Sequence, residues 1–234
     1  MSNIFGKLKN LVTKFYSQYG KLEAIIYTGT LKDSNGKLYD YKVSLNEDRN
    51  IAEKCQNDWY SYAMALRELI VNNMEICEQQ QSLDNAGLAN YLVDISNPNW
   101  IENEGEILYF WLEADEDIQA ACIITYPSSF DVNRKVFNIE YLNGAPWNIE
   151  HNLDNPVYKK VHTLLLAHIA KYAVEVLKLD YGFTANYSIG IKDYLVGLGM
   201  TSNTNANNIN YLSMTEKQDE EFIEVLNGYY RNKN

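Results

Sequence analysis

The chain has 234 residues, 46% of them hydrophobic and 22% charged, enough for one sizeable core and too apolar for a disordered polypeptide. Its formal net charge of −11 opposes a phosphodiester backbone, which disfavours a nucleic-acid partner and favours a cationic substrate such as an amine. No run of eighteen uncharged apolar residues occurs, so no transmembrane segment is expected.

Ile4, Phe5, Leu8, Leu11, Val12, Phe15, Tyr16 and Tyr19 recur at helical spacing with Lys7, Lys9 and Lys14 between them, predicting an amphipathic helix over residues 1–20 that ends at Gly20. Such a helix packs on its own domain, docks a partner or lies on a membrane surface. Residues 22–30 and 38–45 alternate around the turn-forming run 32–37, which reads as a β-hairpin. A helix is expected from about residue 49 to Gln80, and a second over 82–95 with Ser82 as its N-cap. Residues 105–114 and 118–126 form another hairpin about Asp115-Glu116-Asp117, and 136–142 a further strand. A long helix follows over 156–178, with Pro156 near its start. A short strand at 181–186, a helix at 188–198, an Asn-rich loop at 203–210, a strand at 209–214 and a helix at 216–230 complete the chain. No internal repeat or linker divides it.

Cys55, Cys77 and Cys122 are odd in number and contain no CxxC pair, which suggests free thiols in a reducing, cytoplasmic setting rather than disulfides or zinc. No secretory signal is evident. No HExxH, GxSxG or GxxxxGK[ST] occurs, so metal hydrolase, serine hydrolase and P-loop chemistry have no basis, and no metal ligands are assigned.

Three segments carry a family resemblance: Ile139-Glu140-Tyr141-Leu142 with Pro146-Trp147-Asn148, the run Tyr158–Leu166, and the run Tyr194–Met200. In that order and spacing the chain resembles the GNAT superfamily of N-acyltransferases. The likeness is best over residues 105–214. It implies an α/β fold with a mixed, mostly antiparallel central sheet flanked by helices, one domain spanning 21–234, and acetyl-CoA or a longer acyl-CoA as donor. It further implies that Tyr141, Leu142, Lys159, Lys160, Val161, His162 and Thr163 contact that donor, that Glu140 is the base, and that Tyr194 protonates the departing thiolate. The acceptor would be a small-molecule or peptide amine, and the acidic block 102–117 could lie on its side of the site.

Two features depart from the family pattern. The loop that usually reads Gln/Arg-x-x-Gly-x-Gly/Ala carries Lys160 and His162 at its glycine positions. Either their side chains fill the space of the phosphate oxygens, or Lys159, Lys160 and His162 add positive charge around a helix N-terminus that still offers its amides. The family's tyrosine position falls on Leu195, with Tyr194 one residue away, a rotation of about 100° on a helix. Tyr187 and Tyr211 are further candidates for the acid and His151, in the loop after the strand, for the base, whereas His168, within the long helix, is expected to serve packing or a surface hydrogen bond. A second reading follows: a GNAT-like fold that has given up catalysis and acts as a binding or regulatory protein, with a homo-oligomer or protein partner.

Overall fold

Turn chemistry sets the architecture. In the computed structural model, which describes residues 24–73, 91–101, 105–148, 156–186, 191–218 and 221, strand β1 (Ala24–Lys32) turns into β2 (Leu38–Leu45) where Gly36 adopts a φ of 88°. Strand β3 (Glu106–Ala114) turns into β4 (Asp117–Tyr126) through two residues, Asp115 and Glu116, both with positive φ. That is the primed geometry whose twist matches a tight hairpin, here made without glycine. Asp117, read from sequence as part of the turn, pairs with Ala114 and opens β4.

The remaining elements are α1 (Arg49–Asn73), β5 (Phe137–Gly144), α2 (Val161–Glu175), β6 (Phe183–Asn186), α3 (Lys192–Gly197), β7 (Thr201–Thr204) and β8 (Asn210–Ser213). They build one eight-stranded sheet in the order β1-β2-β3-β4-β5-β6-β8-β7, antiparallel at every junction except β5–β6, which is parallel. The chain is therefore a mixed α/β protein with a mostly antiparallel sheet flanked by helices, the class expected from sequence.

Strict alternation along the central strands makes two cores. Phe110, Leu112, Cys122, Ile124 and Leu142 face α2, packing on Val161, Leu165, Leu166 and Ile169. Trp111, Ala121, Ile123 and Tyr141 face α1, packing on Ala52, Cys55, Trp59 and Ala63. Cys55 and Cys122 are free thiols, one in each core, and burial pushes both thiols up.

Several boundaries differ from the sequence reading. Helix α2 begins at Val161 rather than near Pro156, because Pro156–Lys160 run as a loop in which Tyr158 forms a β-bridge with Asp33. Thr201–Thr204 form an eighth strand, so much of the Asn-rich stretch is hairpin, its tip held by Asn205 Oδ1 accepting from the Asn207 and Ile209 amides. Tyr91–Ile95, the end of the expected 82–95 helix, are not α-helical. The helix over 1–20, Cys77, His151, Tyr187 and most of 216–230 lie outside the described residues. Among the described residues, no helix is long and apolar enough to cross a membrane.

His168 sits on the core side of α2, where its Nε2 shares a 2.8 Å hydrogen bond with the Tyr41 hydroxyl and its ring stacks on Tyr27 at 4.5 Å. Burial first, then Lys171, lowers its pKa to about 4. With a folded pKa below the unfolded one, the contribution is complete above about pH 6.5 and is lost as pH falls toward 4. Fully developed, that shift corresponds to about 3 kcal/mol. His168→Gln should therefore lose less stability than wild type between pH 6.5 and 4, measured by urea unfolding across that range.

Candidate active site

The site begins with a single extra residue. On the β4–β5 ladder Ile124 pairs with Ile139 and Ile123 with Tyr141, so Glu140 is inserted as a β-bulge. A bulge turns two successive side chains toward one face of the sheet. Glu140 is half-buried, and its Oε1 accepts hydrogen bonds from Thr125 Oγ1 at 2.6 Å and Asn138 Nδ2 at 2.8 Å.

Next to the bulge, the described β5–β6 ladder is short. The parallel β5–β6 ladder holds only Phe137↔Phe183, Asn138↔Thr184 and Ile139↔Ala185. Strand β5 continues to Gly144, and from Tyr141 onward it pairs only with β4 among the described residues. Tyr141 is buried toward α1 and Leu142 toward α2, so what the Tyr141–Leu142 segment has left to offer is its main chain.

The path from β5 into α2 is pinned by Gln119, which the sequence reading missed. Its main-chain carbonyl accepts from the Ala145 amide at 2.9 Å, and its Oε1 accepts from Trp147 Nε1 and Asn148 Nδ2, each at 2.9 Å. Asn148 Oδ1 in turn accepts from the Tyr158 amide at 2.9 Å. A glutamine on a strand has no sequence signature for such a role; only its register opposite the end of β5 creates it.

Helix α2 then starts without a side-chain cap and without an acidic residue in its first turn. Its N-cap, Lys160, holds φ 59° and ψ 26°, the left-handed conformation that glycine adopts at no cost. Lys159 and Lys160 are exposed and Val161 is buried. His162 lies across the cleft end: a Cβ built on Gly144 would stand 3.6 Å from its Nδ1, and its ring meets Tyr194 edge-on at 4.5 Å. Burial lowers its pKa to about 4, so it is neutral at pH 7 and adds no positive charge to the loop. Leu195 is buried in the core, and Tyr194 is the residue turned to α2, its hydroxyl donating to Thr163 Oγ1 at 3.0 Å. Burial raises the Tyr194 pKa to about 12.

His162, Thr163 and Tyr194 are thus linked to one another beside Gly144, at the end of β5. Glu140 stands apart from them with Thr125 and Asn138, His168 lies in the α2 core, and the Tyr211 ring stacks on Phe130 at 5.7 Å. The acidic residues Glu113, Asp115 and Glu116 line a separate open concavity of about 580 Å³ with Thr28, Thr30 and Asp40 on the β1–β2 side of the sheet.

No family model matches the chain, and comparison with curated proteins returns no match. Among solved structures, the Campylobacter jejuni N-acetyltransferase PseH is similar at 19% identity and a TM-score of 0.31, over 65% of this chain and 90% of that one.

The left-handed Lys160 generates a prediction. Relief of its conformation, about 1–2 kcal/mol, outweighs the unfolded-state entropy that glycine adds, about 0.4–1 kcal/mol. Lys160→Gly should therefore raise stability by about 0.5–1 kcal/mol in thermal or urea unfolding.

Proposed function

We propose that this protein is an N-acyltransferase that moves an acyl group from acetyl-CoA or a longer acyl-CoA to a primary amine. The observation that carries the reading is the bulge in β5, which sets the Glu140 carboxylate beside a stretch of β5 main chain that, among the described residues, pairs only with β4. An extended amide-bearing arm such as pantetheine can add to such an edge as a strand would, with its thioester close to Glu140. The uncapped first turn of α2, with Lys159 and Lys160 just before it, suits the donor's phosphates.

In this reading Glu140 takes a proton from the amine, directly or through one water, so that its nitrogen lone pair attacks the thioester carbonyl. The C–N bond forms and the C–S bond breaks; the Tyr194 hydroxyl gives its proton to the thiolate, and the tyrosinate recovers the second proton that the acylated nitrogen sheds. The net charge of −11 favours a cationic acceptor, either a small polyamine-like compound or a lysine- or ornithine-type side chain in a peptide.

One observation favours the second reading, a binding or regulatory protein without catalysis. His162 lies against Gly144 and Tyr194, in the space that glycine at its position would leave for the donor. The two readings part in a titration. Acetyl-CoA and longer acyl-CoAs should raise the melting temperature of the wild type, and His162→Gly should bind them more tightly. Silence of both proteins at millimolar donor overturns the acyltransferase reading. With a donor that binds, Glu140→Gln should lower kcat by about 10²-fold or more with little change in donor affinity. Turnover that survives the change removes Glu140 as the base.

A further inference from the structure

Four polar side chains converge on Glu140 from three strands and a loop, and the sheet register explains why they meet. Thr125 of β4 pairs with Asn138 of β5, and Asn138 pairs with Thr184 of β6, so the three lie in one row across the sheet. Residues on either side of each, Ile124, Phe137, Ile139, Phe183 and Ala185, point into the α2 core, so the row lies on the opposite face. Ser128, in the loop after β4, reaches the same row through a 2.6 Å contact between its Oγ and Thr184 Oγ1.

The hydrogen-bond directions can be worked out from donor capacity. Ionised Glu140 only accepts, so Asn138 must present Nδ2 to its Oε1 at 2.8 Å. That fixes the other end of the amide as Oδ1, which accepts from Thr184 Oγ1 at 2.9 Å. With its one proton given to Asn138, Thr184 must accept from Ser128, and Ser128 Oγ accepts the Phe130 amide at 3.1 Å. The shortest donations in the series therefore run toward the Glu140 carboxylate, with longer contacts of 3.4 Å from Thr184 Oγ1 to the Phe137 carbonyl and from Asn138 Nδ2 to the Ile139 carbonyl. Thr125 adds a second donor to the same oxygen.

Thr125, Asn138 and Thr184 are fully buried, and Ser128 is nearly so. Apolar β-branched residues would fill the same row without needing partners, whereas a buried polar row is costly unless every member is satisfied. A directional series ending on one carboxylate oxygen has a use that packing alone lacks: it holds the plane of that carboxylate. We infer that Asn138, and through it Thr184 and Ser128, are positioning residues that fix the orientation of the Glu140 carboxylate. This rests on Glu140 as the base proposed above.

Thr184→Val keeps the shape and removes the hydroxyl, and Thr184→Ser keeps the hydroxyl. In an active enzyme Thr184→Val should lower kcat by about 10- to 100-fold with KM for acyl-CoA within about twofold. Thr184→Ser should return kcat to within about threefold of wild type. A readout independent of turnover is the side-chain amide proton resonance of Asn138 in a ¹⁵N–¹H spectrum of the full chain. It should lie downfield in wild type and move upfield in both Thr184→Val and Glu140→Gln. Should Thr184→Val fail to fold, Ser128→Ala tests the same series from its far end. A resonance that Thr184→Val leaves in place overturns the inference, as does unchanged kcat in an active enzyme. If the wild type shows no acyl transfer with any donor, the function fails separately, and the Asn138 resonance alone decides whether the relay exists.

Discussion

One inserted residue governs this molecule. Without the bulge at Glu140, β5 would pair in strict register with β4, and its side chains would alternate without interruption to Gly144. With it, Glu140 and Tyr141 share a partner position opposite Ile123, and the strand bends with added twist. The parallel ladder to β6 ends at Ile139↔Ala185, the last register pair before the bulge. The bulged carboxylate and the end of the described β5–β6 ladder therefore fall at the same point of β5. The relay through Asn138 and Thr184 can exist because the pairs just before the bulge are still in register.

Lys160 and His162 differ in their physical consequences, although both stand where the sequence resemblance led one to expect glycine. At Lys160 the backbone keeps a glycine-like conformation, and the side chain stands in solvent. The replacement costs backbone energy but leaves the shape of the helix start intact. At His162 the residue is in the helix and needs no unusual conformation; what changes is volume, because the imidazole lies between Gly144 and Tyr194. Only the second replacement bears on whether a donor fits. The neutral ring also removes one of the charges that the lysine-rich loop was expected to supply.

Much of the fold was legible because it is written in local patterns. The alternation of residues 106–114 and 117–126 around an acidic turn, and the apolar stripe of α2, need no tertiary information to read. The start of α2 was placed five residues early because Pro156 favours a helix start, whereas Tyr158 instead bridges to Asp33, a contact between distant parts of the chain. Strand β7 was missed because Thr201–Thr204 is polar and lies at the sheet edge, where pairing with β8 supplies the order that hydrophobicity does not. In the site, Glu140 was visible as a charge in an apolar strand. Gln119 and the row of Thr125, Asn138 and Thr184 were not, since each gains its role only from cross-strand register.

Tyr194 and His162 are coupled by contact, and that coupling shapes the chemistry proposed for the cleft. The Tyr194 proton is committed to Thr163 Oγ1, and its ring edge is occupied by His162. A hydroxyl so held, with its pKa raised to about 12 by burial, is a weak acid toward solvent. It becomes useful only when a stronger base than Thr163 stands within reach, and a thiolate leaving an acyl thioester is such a base.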